Sequence, residues 1–122
     1  ATGGSIVEIP AGTMDRENET VEACVQRELA EEVGFQAGRL VKLFEGYLVP
    51  GYCNEYMHFF LARDLHPATL PADDDEYIRV MTTSFAEARR MIREKEIIDV
   101  KTALGIQLAR EFLEEEKNRL KA

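Results

Sequence analysis

Three glutamates crowd into five consecutive positions, Glu28, Glu31 and Glu32, within the run Arg27-Glu28-Leu29-Ala30-Glu31-Glu32-Val33-Gly34-Phe35. The run lies in a helical pattern from about Thr20 to Val33. There Val21, Cys24, Val25 and Leu29 recur as one apolar stripe, and Gly34 is the natural stop. On such a helix Glu28 and Glu32 are i, i+4 neighbours and Glu31 is i, i+3 from Glu28, so the three carboxylates converge. Like charges placed this way weaken a helix unless something neutralises them. A hard divalent cation, which takes oxygen ligands, does so directly. A solvated acidic face is the alternative reading of the same spacing.

The punctuation around this helix sets the remaining elements. Ser5-Ile6-Val7-Glu8-Ile9 is a short β-prone run stopped by Pro10 and Gly12. Met14 to Asn18 is polar and turn-like. Two strand patterns, about Arg39–Leu48 and Tyr56–Arg63, flank the turn signal Pro50-Gly51. After the acidic run Asp73-Asp74-Asp75-Glu76 comes a further strand pattern, Tyr77–Thr82. Ser84 and Glu87 have capping-box spacing for a helix near Phe85–Arg93. Asp99 can cap a last helix, roughly Val100–Leu120, with Ala103, Ile106, Leu108 and Phe112 facing the core. Strand, helix, strands, helix, helix predicts a mixed α/β or α+β fold, and 122 residues without a linker or repeat predict one domain, 1–122.

Charge narrows the partners. Fifteen Lys and Arg against 23 Asp and Glu leave a net charge of −8, which repels a phosphate backbone and excludes non-specific nucleic-acid binding. An anionic substrate would need a divalent cation to bridge it to such a protein. The longest apolar-rich stretch, Tyr56 to Ala62, is far short of a membrane span. Cys24 and Cys53 form neither a CxxC pair nor a disulfide framework, and the opening Ala-Thr-Gly-Gly is no secretory leader. The expected location is the cytoplasm. Neither Asp15-x-Glu17-x-Glu19 nor the Asp73 run completes an EF-hand, and no phosphate-binding Gly loop with Lys is present. His58 reads as core or cross-strand packing, and His66, in a loop before a proline, has no expected role.

Glu19 followed eight positions later by Arg27-Glu28-Leu29-x-Glu31-Glu32-x-Gly34-Phe35 resembles the Nudix box. Glu8-Ile9-Pro10-Ala11-Gly12 resembles the lead-in of the family's ADP-ribose pyrophosphatase branch, and the similarity runs from Ile6 to about Leu113. Six residues separate Gly12 from Glu19, one more than the family pattern, and the extra residue falls in the loop before the helix. The resemblance implies a mixed β-sheet sandwiched between helices. It also implies Mg²⁺-dependent hydrolysis, with Mn²⁺ as an alternative, of the pyrophosphate bond of a nucleoside diphosphate sugar, ADP-ribose to AMP and ribose 5-phosphate.

By resemblance the metal ligands are Glu28, Glu31 and Glu32, with the Ala11 carbonyl and Glu76. Arg27 and Glu19 pair to orient the helix. Asp74 and Glu76, on the acidic loop, supply a general base and a further ligand; alone, such a run is a solvated loop. Tyr47, Pro50, Gly51 and Glu55 resemble the loop beside the substrate, where the plain alternative is a hairpin turn. Relatives are mostly homodimers and carry upstream strands, so the expectation is a fragment or a chain that borrows a sheet edge. The rival function is a non-catalytic Nudix-like module that binds nucleotide sugars.

Overall fold

Thr20 starts the first helix and Gly34 ends it. In the computed structural model, which describes residues 6–14, 16–52, 54–68, 70 and 78–121, helix α1 spans Val21–Val33. The Thr20 hydroxyl accepts the Ala23 N–H at 3.1 Å, satisfying a donor that has no partner inside the helix. Gly34 adopts the left-handed conformation (φ 77°) that lacks a steric penalty only without a Cβ, and its N–H returns to the Leu29 carbonyl at 3.1 Å. Cys24, Leu29 and Ala30 are the buried residues of α1; Val21 and Val25, expected in the stripe, are half-buried.

The chain leaves α1 straight into strand β1 (Phe35–Tyr47), which pairs antiparallel with β2 (Tyr56–Pro67) from Phe35 opposite Pro67 to Tyr47 opposite Tyr56. The ladder slips between Lys42 and Phe44. Both strands exceed the sequence estimate at their α1-proximal ends, because pairing continues through residues whose own β propensity is ordinary. His66, expected in a loop, is therefore in a strand. Gly51 (φ 93°) takes the left-handed position in the turn between the strands, and the Leu48 N–H meets the Glu55 carbonyl at 3.1 Å. Together with the turn before Thr20, these elements form one compact unit, residues 10–81.

Residues 1–9 and 82–122 form a second compact unit, built on α2 (Phe85–Arg93) and α3 (Val100–Lys121). The Ser84 hydroxyl accepts the Glu87 N–H at 3.1 Å. The Glu87 carboxylate is taken by Arg90 at 2.6 and 2.8 Å, one turn on. Asp99 caps α3 as expected, accepting the Thr102 N–H at 3.1 Å and its hydroxyl at 2.6 Å. Thr102 is 1% exposed, and its hydroxyl oxygen also accepts the Ile9 N–H at 3.0 Å. The buried face of α3 runs through Thr102, Gly105 and Ala109 rather than Ala103, Ile106, Leu108 and Phe112, which are half-buried. Small side chains sit where packing is tightest, and larger ones flank them.

The class is α+β, with a two-stranded antiparallel sheet among the described residues. Residues 6–9 and 78–82, expected in strands, carry none. A β-prone run becomes a strand only beside a partner edge, which local sequence does not specify. Ser5, Tyr77, Cys53 and the acidic run 73–76 lie outside the described residues.

Candidate functional site

Helix α1 turns its carboxylates toward Arg27 and toward the segment before the helix. The Arg27 guanidinium grips Glu19 with two hydrogen bonds, Nε to Oε2 at 2.9 Å and Nη2 to Oε1 at 3.1 Å. Its third nitrogen, Nη1, reaches Glu28 Oε1 at 3.0 Å and Glu31 Oε2 at 3.4 Å. Planar guanidinium geometry allows this, since its donors fan out in a fixed fork. The hydrogen bonds from Arg27 hold the Glu19 carboxyl below its ordinary value, and the same bonds push the guanidinium higher. Arg16 Nη2 stands 4.0 Å from Glu31 Oε1.

The segment before the helix closes over the same group. The Ala11 N–H donates to Glu32 Oε2 at 3.1 Å. Gly12 lies so close to Glu28 that a Cβ there would fall 2.1 Å from its Cδ and 2.2 Å from its Oε1. The Cys24 thiol donates to the Thr13 carbonyl at 3.7 Å, and burial, reinforced by the Glu19 charge, raises its pKa and keeps it protonated. Residues 11–13 are thus laid along the acidic side of α1.

The structure therefore brings together Ala11, Glu19, Arg27, Glu28, Glu31 and Glu32 of the expected site. Ala11 meets the cluster through its N–H. Among the described residues, no group of three or more His, Cys, Asp and Glu is arranged as around a metal ion; Arg27 stands among these carboxylates, with Arg16 beside Glu31. Asp74 and Glu76 lie outside the described residues. Tyr47, Pro50, Gly51 and Glu55 gather at the hairpin turn, at the end of the thirteen-residue β1 opposite its junction with α1. Tyr47 packs edge-on against Tyr56, its cross-strand partner, with ring centroids 4.9 Å apart. His58 is half-buried, with Nδ1 2.7 Å from Lys42 Nζ and 3.1 Å from Glu45 Oε2, so it belongs to a cross-strand polar group.

One contact had no signal in the sequence. The Gln26 side-chain amide donates to the Ala37 carbonyl and accepts the Ala37 N–H, both at 2.8 Å. A glutamine beside a charged helix motif carries no pattern that distinguishes it from surface.

The pattern of the NUDIX domain matches residues 2–103. The chain belongs to that family. Its NUDIX fold is similar to a solved structure described as an ADP compounds hydrolase, with a TM-score of 0.74 and 28% identity over 82% of this chain and 54% of that one. The chain is 38% identical to the ADP-ribose pyrophosphatase of Bacillus subtilis (strain 168), over 84% of this chain and 56% of the relative. It is 40% identical to the GDP-mannose pyrophosphatase of Yersinia enterocolitica, over 87% of this chain and 56% of the relative. It therefore spans a little over half the length of the curated relatives it matches.

Proposed function

We propose that this chain forms the NUDIX core of a hydrolase that splits the pyrophosphate bond of a nucleoside diphosphate sugar, with ADP-ribose, cleaved to AMP and ribose 5-phosphate, as the favoured substrate. The observation that carries this is the closure of Ala11 and Gly12 onto Glu32 and Glu28, on a helix held by the Arg27–Glu19 pair. Likeness to relatives named for ADP-ribose and for GDP-mannose supports the substrate class. The favoured cofactor is Mg²⁺, with Mn²⁺ as the alternative.

The donor set suits such a cation. Glu28, Glu31 and Glu32 offer hard carboxylate oxygens from one helix side, and the Glu28 carboxyl can lie where it does because residue 12 has no Cβ. Glu28, Glu31 and Glu32 would hold the ion, with the Ala11 carbonyl and Glu76 as further donors. When bound, the ion would neutralise diphosphate charge and lower the pKa of a coordinated water. Arg27 keeps Glu28 and Glu31 oriented and, through Glu19, ties the carboxylates to the loop before α1. The Ala11 N–H fixes one oxygen of Glu32. Asp74, with Glu76, is proposed to accept the proton of the attacking water, and Tyr47, Pro50, Gly51 and Glu55 to line the substrate side.

A net charge of −8 supports a partner list without nucleic acid. No helix among the described residues is long and apolar enough to cross a membrane. We further propose a homodimer in the cytoplasm, the dimer supported by the exposed Tyr47 and Tyr56 at the turn end of the described two-stranded sheet. One domain covering 1–122 is supported by a family match that runs through both compact units.

The test is hydrolysis of ADP-ribose and GDP-mannose with Mg²⁺, Mn²⁺ or a chelator, following the mononucleotide and sugar phosphate formed. Metal-dependent production of AMP and ribose 5-phosphate is expected. Saturable binding of ADP-ribose without hydrolysis under any metal would overturn the catalytic reading in favour of a binding module.

A further inference from the structure

We propose that Gln26 is a positioning residue for the reaction: its amide locks the rotation of α1 against β1 and so sets where the carboxylates point. This rests on the function proposed above. An outer-edge residue of a two-stranded sheet has a backbone donor and acceptor with no strand partner. At Ala37 both are taken by one side chain, through two 2.8 Å hydrogen bonds. The Gln26 amide thus mimics one residue of a neighbouring strand, with donor and acceptor in one plane. Gln and Asn offer that pair side by side on a neutral carboxamide, and Asn is one methylene shorter.

A helix packed by apolar contacts alone can roll, because those contacts are non-directional. A two-point polar clamp cannot roll without breaking. Successive helix residues are separated by about 100°, so Glu28, Glu31 and Glu32 fall about 200°, 140° and 240° around from Gln26. They occupy the side opposite the clamp. Leu29 and Ala30, both buried, fall on either side of Gln26. Fixing Gln26 to Ala37 therefore turns the acidic side outward to where the Ala11 N–H meets Glu32 and Gly12 meets Glu28. The Arg27–Glu19 pair fixes the helix to the preceding loop; the Gln26–Ala37 clamp fixes it to the sheet.

The test compares Gln26→Leu and Gln26→Asn with wild type in amide NMR and in steady-state hydrolysis of ADP-ribose. Leu keeps the bulk and removes both hydrogen bonds; Asn keeps the amide and withdraws it. Both should speed exchange at the Ala37 amide and shift the Ala11 amide resonance, which reports the Glu32 carboxylate. Both should lower kcat by about tenfold to a hundredfold, the scale of an ångström-sized misplacement. KM should stay within about twofold, since the groups displaced act on the transition state. Ser84→Ala, which removes the α2 cap, is the stability control: it should lower the melting temperature and move neither the Ala11 resonance nor kcat. Gln26 variants that behave like Ser84→Ala would overturn the proposal. If wild type hydrolyses no nucleotide sugar, the proposed function fails, and the Ala11 resonance alone still decides the clamp.

Discussion

Gly12→Ala should separate catalysis from stability at the centre of this site. The added Cβ would sit 2.1 Å from Glu28 Cδ, whereas ordinary contact begins near 3.4 Å, so the carboxyl must retreat by about 1.3 Å. The clash falls on the Glu28 side chain, Cγ included at 2.3 Å, rather than on backbone, and Gly12 is not in the left-handed region, so alanine is accommodated by rotating the Glu28 side chain from its Cβ outward. Loss of unfolded-state freedom stabilises by about 0.4–1 kcal/mol. An off-rotamer Glu28 costs about 0.5–1.5 kcal/mol. The net stability change should stay within about 1 kcal/mol, a melting shift of no more than about 5 °C. Function should not be spared. A reacting group misplaced by about 1 Å costs on the order of a hundredfold, and the same retreat breaks the 3.0 Å contact between Glu28 and Arg27. Melting curves and initial rates of ADP-ribose hydrolysis at saturating Mg²⁺ measure the two sides. A folded variant with wild-type kcat would show that Glu28 does not work from the position beside Gly12.

Glu32→Gln should leave the metal-free fold within about 0.5 kcal/mol, because relief of repulsion in the cluster offsets a weaker bond from Ala11. Stabilisation by Mg²⁺ and turnover should both collapse, as melting curves with and without the ion and hydrolysis rates would report. Glu19 has a folded-state pKa below its ordinary value of 4.5, so its contribution is present above that pH and is lost as pH falls through the lower folded value. Acid melting profiles should therefore be flatter in Glu19→Gln than in wild type; identical profiles would remove the Arg27–Glu19 pair from the stability account. Asp99→Ala should cost about 1 kcal/mol by uncapping α3, read as a lower denaturation midpoint with no change in KM for ADP-ribose.

Which side of α1 is acidic, where the helix starts and stops, and which caps begin the other helices were all legible in the chain. Thr20, Gly34, Ser84 and Asp99 act on backbone groups three to five residues away, and such short-range chemistry leaves its mark in local spacing. The candidate carboxylates and Arg27 were legible for the same reason, since i, i+3 and i, i+4 geometry is a property of any helix. The ends of β1 and β2, the missing strands near residues 6–9 and 78–82, and the Thr102–Gly105–Ala109 face of α3 were not. Each depends on which distant segment lies alongside, and propensity carries no information about that partner. The same holds within the site. That Gly12 crowds Glu28, that the Ala11 N–H finds Glu32, and that Gln26 clasps Ala37 are outcomes of tertiary closure. The sequence determined which groups were available on one helix side; packing between segments 11 to 21 residues apart decided where they were held, because hydrogen bonds and contacts of that range exist only once the chain has folded back on itself.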